Sequence, residues 1–137
     1  MNDLTAIREL LRNSTTIAIV GAKDKAMQPV HDVGQYLIRS GYRVVPVHPK
    51  RTSVWNVTTY PTIADIPDDV EVDIVDLFRA RRFCPDHARE VLRMTPRPKA
   101  FWMQQGITSF EAREILAGSG VMVVEDLCIK TVHREMK

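Results

Sequence analysis

The sequence predicts an α/β fold, a doubly wound, mainly parallel five-stranded sheet with helices on both faces. Three observations carry that expectation. Short runs rich in Val and Ile alternate with longer segments of helical periodicity. Several runs are apolar at consecutive positions, which suits strands covered on both faces. The turns between them are short, and strands separated by helices imply right-handed crossovers and a parallel sheet.

The elements follow in order. Leu4, Ile7, Leu10 and Leu11 recur at helical spacing behind an Asn2 or Asp3 cap. Thr16-Ile17-Ala18-Ile19-Val20 is a continuous β-branched run, hence a strand. Val30, Val33, Leu37 and Ile38 line one helical face, and Gly41 supplies the left-handed stop. Tyr42 to Val47 reads as the next strand, and Pro46 inside it, lacking an N–H, belongs near an end or on an edge.

Glu71 to Phe78 is another strand. Pro85 suits a first helical turn, with Ala88, Val91 and Leu92 as the buried stripe behind it. Lys99 to Met103 is a strand that places Phe101 and Trp102 on opposite faces. Thr108-Ser109-Phe110-Glu111 fits a capping box before Ala112, Ile115 and Leu116. Val121 to Val124 is the last strand, and the tail from Cys128 is a short helix or arm. The stretch from Arg51 to Pro67 shows no period. Loops of that length are often functional, which leaves open whether it closes over a ligand. The whole is a Rossmann-like arrangement.

At 137 residues the chain has room for one core and not two, so residues 1–137 are read as a single domain. A net charge of +2 without a basic tail or acidic block argues against nucleic acid or a membrane surface as the main partner. Met1 to Leu4 lacks the basic and apolar regions of a secretory signal. No apolar run approaches the roughly 18 residues of a membrane span. Cys84 and Cys128 have neither metal-ligand spacing nor the density of a disulfide scaffold. A cytoplasmic protein with reduced thiols and no metal is expected.

In an open parallel sheet, ligands bind beyond the carboxyl ends of the strands. Here those ends are Gly21-Ala22-Lys23, Val47-His48-Pro49-Lys50, Phe78-Arg79, Gln104-Gln105-Gly106 and Glu125-Asp126. The first is the phosphate candidate, because the next helix starts near Val30 and its free backbone amides are expected to face the crevice. The dinucleotide pattern G-x-G-x-x-G is absent after Gly21, and an ordinary loop with solvated lysines is the competing reading. The second end counts against NAD, which wants an acidic residue for its ribose. His48 and Lys50 are donors and favour an extra phosphate, as in NADP or coenzyme A. Arg79, Arg81 and Arg82 form a basic cluster from which Arg79 is best placed to grip a phosphate bidentately.

Six segments in register carry a resemblance. They are Ile19-Val20-Gly21-Ala22, the run from Gly41 to Lys50, Tyr60-Pro61-Thr62, Asp76-Leu77-Phe78-Arg79, the run from Trp102 to Ile107, and the run from Asp126 to Lys130. Through them the chain resembles the stand-alone CoA-binding domain proteins. These are similar to the first domain of the succinyl-CoA synthetase alpha chain and of ADP-forming acyl-CoA synthetases. The resemblance implies that the Gly21 loop approaches the coenzyme phosphates and that His48-Pro49-Lys50 flanks the adenosine end. Phe78, Arg79, Gln104 and Gly106 would border the rest. Two departures stand out. His48 replaces the usual Asn, and Val54-Trp55-Asn56 replaces an Ile-Leu-Gly turn, where Asn can still take a positive φ.

The ligases so resembled work through a phosphohistidine on a second domain, which residues 1–137 do not include. His31, His48, His87 and His133 show no acid–base partnership by spacing. The expectation is therefore binding of CoA or acyl-CoA without catalytic residues, a homodimer being left open. The alternatives are an NADP-dependent oxidoreductase and a regulatory domain with a vestigial nucleotide site. The missing glycine fingerprint counts against the former. Two thiols complete the reading. Cys84, at a helix start beside Arg81 and Arg82, is read first as a partly buried small residue, with a thiol of lowered pKa as the alternative. Cys128 is a candidate for a mixed disulfide with the coenzyme.

Overall fold

A computed structural model describes residues 3–136. Five strands form one sheet: β1 (Thr16–Val20), β2 (Arg43–Val47), β5 (Ile74–Leu77), β6 (Ala100–Met103) and β7 (Met122–Val124). Their order is β2-β1-β5-β6-β7 and every pairing is parallel. A small antiparallel hairpin, β3 (Ser53–Val54) and β4 (Val57–Thr58), lies between β2 and β5 in the chain. The helices are α1 (Leu4–Arg12), α2 (Pro29–Arg39), α3 (Cys84–Leu92), α4 (Phe110–Leu116) and α5 (Ile129–Glu135).

The continuous apolar runs explain the layers. Ile17, Ile19, Ile74, Trp102 and Val124 pack with side chains of α1, α2 and α5 on one face. Ala18, Val20, Val75, Phe101 and Met103 pack with α3 and α4 on the other. Phe101 and Trp102 thus go to opposite layers, both fully buried. Of the residues expected on the helical stripes, Leu4 and Ile38 remain exposed at the margins of their helices and Leu92 and Ile115 are half-buried. Among the described residues no helix is long and apolar enough to cross a membrane.

The caps refine the sequence reading. Asp3 caps α1 and accepts from the amides of Thr5 and Ala6 at 3.0 and 3.2 Å, while Asn2 lies outside the described residues. The expected capping box at Thr108 is not formed. α4 starts one residue later, so Ser109 is the cap and accepts from the Ala112 amide at 3.1 Å. Glu111 lies 3.4 Å from Arg89 instead. A reciprocal cap sits elsewhere, where the Asp65 carboxylate accepts from both the amide and the hydroxyl of Thr62.

Pro46 occupies the outer strand β2, where its missing N–H breaks no ladder. Tyr60 covers that edge. Its amide donates to the Pro46 carbonyl at 3.1 Å and its carbonyl accepts from His48 N–H at 2.9 Å. The aperiodic stretch is therefore an edge cover. Its hairpin turns at Trp55 and Asn56, with φ of 55° and 59°, the left-handed pair that a two-residue turn demands. The Trp55 ring then lies flat on Gly34, where a Cβ would stand 2.2 Å from it. Trp55 Nε1–H donates to His31 Nδ1 at 3.0 Å.

Candidate functional site

From β1 the chain winds outward to β2, and afterwards returns to β5 on the opposite side of β1. The two connections part at the carboxyl ends of β1 and β5 and open a crevice there. Gly21 closes β1 at that point with φ +88°. A Cβ on it would stand 2.6 Å from the Phe78 carbonyl oxygen and 3.3 Å from Arg79 Cδ. Only glycine permits that approach. The crevice is a cavity of about 650 Å³, within the usual range for a cofactor site.

Each strand end contributes to its wall. Gly21 and Lys23 come from the β1 end, His48 and Pro49 from the β2 end, and Phe78 and Arg79 from the β5 end. Gln104 follows β6. Of the remaining residues singled out by sequence, Ala22 and Val47 lie buried beneath the wall. Lys50 is exposed at the rim, and Gly106 shapes a turn at φ +87°, its amide donating to Asp126 Oδ1 at 2.6 Å. Arg81 reaches Thr108 Oγ1 at 3.4 Å, and Arg82 lies over the Phe83 ring, so neither lines the cavity.

The strand register decides which amides the crevice receives. The amides of Gly21 and Ala22 are not free, because both donate to the Val47 carbonyl, at 2.9 and 3.2 Å. Neighbouring β1 and β2 consume them. The amino end that the crevice does receive is that of α2, whose first turn, Gln28 to Val30, lines the wall. The Gln28 cap makes no side-chain hydrogen bond to it. Such an end attracts anions. Sequence reasoning named Gln105 at a strand end and Val30 at the helix start, but passed over Gln28, Pro29, Val33, Ala80 and Ile107 as lining residues. Their signal was positional, since the first helix after β1 must roof its carboxyl end.

The electrostatics are one-sided. His48 is held below its usual pKa, first by burial and then by the positive charges of Arg51, Lys23, Arg79 and Lys50. Its Nδ1 accepts from the Lys50 amide at 3.0 Å, so in the neutral ring the proton rests on Nε2. Arg51 is engaged by Asp24 at 2.8 Å. Among the described residues Lys23, Lys50 and Arg79 form no ion pair; the Arg79 guanidinium stacks on the Phe83 ring at 4.0 Å.

The two thiols differ. Cys84 is fully buried, and burial pushes its thiol up, outweighing the opposite pull of Arg79 and Arg81. Cys84 is thus the buried small residue that the sequence favoured, and the activated-thiol alternative falls. Cys128 is half-buried and lines the crevice. Burial opposes its ionisation, yet hydrogen bonds from the amide and hydroxyl of Thr131, the Gln104 side chain and the Lys130 amide together lower its pKa. Beneath lies Asp76 of β5, wholly buried, with neither carboxyl oxygen hydrogen-bonded. Burial, and secondarily Cys128, pushes its carboxyl well above the usual range.

Comparison with known proteins decides the family. Residues 15–134 match the family described as CoA binding domain. The chain belongs to the CoA-binding domain family. An uncharacterized Bacillus subtilis (strain 168) protein, YneT, is 36% identical over 131 residues, covering 96% of this chain and 94% of that one. A solved structure of a Thermus thermophilus protein superposes with a TM-score of 0.88 at 32% identity, covering 99% of this chain and all of the other. The dinucleotide-forming acetyl-coenzyme A synthetase 1 of Ca. Korarchaeum cryptofilum shares the fold. Its TM-score is 0.69 at 21% identity, over 90% of this chain and 27% of that enzyme.

Proposed function

We propose that the crevice binds coenzyme A or an acyl-CoA and that the chain performs no ligase reaction of its own. The observation that carries this reading is the convergence of Lys23, Lys50, Arg51 and Arg79 on a neutral His48 beside the amino end of α2. Three strand ends bring these groups together, and no side-chain carboxylate of the described residues lines the cavity. A diphosphate with an additional ribose phosphate matches that charge. Arg79 and Lys23 would hold the diphosphate, and His48 Nε2–H with the Lys50 ammonium would face the adenosine end. Family membership supports the same ligand.

The absence of turnover rests on the histidines. His87 Nδ1 lies 2.6 Å from Glu90, and His133 Nδ1 lies 2.7 Å from the Tyr36 hydroxyl. His31 is tied to Trp55. Only His48 lines the cavity, and its nearest charges are cations, which suit anion binding rather than base catalysis.

Calorimetric titration with CoA, 3′-dephospho-CoA, NADP, NAD and ADP tests the reading. CoA is expected to bind tightest, followed by its dephospho form. Preference for NADP would establish the oxidoreductase alternative, and indifference to all five would mark the site as vestigial.

A further inference from the structure

We propose that Cys128 is a thiol–disulfide exchange site for the coenzyme, taking one half of CoA disulfide as a protein–CoA mixed disulfide. The inference rests on the CoA-binding reading and extends it to the sulfur end of the ligand. Position argues for it first. Cys128 lines the same crevice as Lys23 and Arg79, where the chain after β7 folds back over the ends of β6 and β5. The pantetheine arm, comparable in length to three or four extended residues, spans about 10–14 Å. A coenzyme whose phosphates are held at Arg79 therefore lays that arm in the crevice that Cys128 borders. The residue also borders a second cavity of about 290 Å³, so it has open space on two sides.

Chemistry at the residue points the same way. The pKa of the Cys128 thiol is lowered, against the opposing effect of burial, by the neighbouring Thr131, Gln104 and Lys130 donors, which favours thiolate, the nucleophilic form. The second, independent mark is Asp76. Its carboxyl is fully buried without a hydrogen-bond partner, and Cys128 is the one titratable group acting on it. Unsatisfied buried groups are rare enough in native proteins that each calls for an explanation, and a functional site is a common one. Cys84, buried and with its thiol suppressed, offers no competing nucleophile.

The step balances. The Cys128 thiolate attacks one sulfur of CoA disulfide, the new S–S bond forms as the old one breaks, and the departing CoA thiolate takes a proton from solvent. The proton lost on ionising Cys128 goes to solvent, and the oxidising equivalents pass from CoA disulfide to the protein–CoA disulfide. No other oxidant is required.

The test incubates the reduced full chain with CoA disulfide and follows intact mass and released CoA thiol. One adduct is expected, heavier by one coenzyme less two hydrogens, and peptide mapping should place it on Cys128. Its rate should exceed that with pantetheine disulfide, which lacks the nucleotide, by at least ~10-fold, because anchoring raises the local disulfide concentration. Desulfo-CoA should suppress that advantage. Cys128→Ser should form no adduct; should that variant misfold, mapping of the wild type still decides. Equal rates for the two disulfides, or an adduct on Cys84, overturn the proposal. Calorimetry of the wild type with desulfo-CoA separates the two readings. Binding without an adduct defeats the exchange site alone, and no binding defeats the coenzyme site beneath it.

Discussion

The two edges of the sheet treat their polar groups in opposite ways. At the amino edge Asp73, just before β5, accepts from the amides of Thr15 and Thr16 at 2.7 and 3.0 Å. Lys99 Nζ lies 3.6 Å from its other oxygen and donates to the Asn13 carbonyl at 2.8 Å. At the carboxyl edge, three residues further on, the Asp76 carboxyl has no hydrogen-bond partner among the described residues, and Arg79 no carboxylate among them. The contrast separates roles. The amino edge spends its charges on holding β1, β5 and β6 together. The carboxyl edge leaves Lys23, Lys50 and Arg79 without ion pairs among the described residues, which is what a preorganised anion site requires.

The largest effect is expected where the two roles coincide, at Gly21. Gly21→Ala places a Cβ 2.6 Å from the Phe78 carbonyl in a left-handed backbone. Strain and overpacking together should cost roughly 2–5 kcal/mol, lowering Tm by about 10 °C or more. CoA affinity in calorimetry should fall with it, because β1 and β5 must part. Asp73→Ala should separate the roles. Losing two amide contacts and a lysine should cost about 2–4 kcal/mol of stability in urea titration. CoA affinity, measured where the variant is folded, should be unchanged. A large affinity loss there would break the division between the edges.

Arg79→Ala is the mirror experiment. A direct guanidinium–phosphate contact should be worth about 1.5–3 kcal/mol, a roughly 10- to 150-fold rise in Kd. The stability change should be limited to about 0.5–1 kcal/mol, the worth of its stacking on Phe83. Lys50→Ala should do less, about 1 kcal/mol or under and screened by salt, since this lysine is exposed and lines no wall. What it loses should be lost for CoA and spared for 3′-dephospho-CoA.

These experiments also bear on what could be read from sequence. The five strands were legible because residues such as Ile17 to Val20 are buried on both faces and so apolar without alternation. The hairpin was legible only at its turn, where Asn56 takes the positive φ; its strands, two residues each, are too short to show a period. At the site, Gly21, His48, Phe78 and Arg79 were legible as strand ends. The commitment of the Gly21 and Ala22 amides to Val47 was not, because it depends on the β1–β2 register. Nor was the full burial of Cys84, since a helix start predicts an activated thiol only if water reaches it, and burial is decided by α3 packing on the sheet.

The smallest expected effect sharpens the comparison most, because only the carboxyl edge contains it. In the free protein His48 is held below 6.5 by burial and by four cations. The folded state thus binds fewer protons than the unfolded one between the depressed value and 6.5. Stability should rise with pH through that window and be complete above 6.5. A phosphate arriving beside the ring offsets those cations and raises its pKa. Binding should therefore take up a fraction of a proton, and affinity should grow as pH falls through the bound-state value, levelling off below the free-state one. The gain should be about 1 kcal/mol or less. Calorimetry in buffers of differing ionisation enthalpy measures the proton directly, and His48→Asn should abolish it. Proton release on binding, or uptake that persists in His48→Asn, would mean that the phosphates lie away from the β2 end and that the cations there serve the fold.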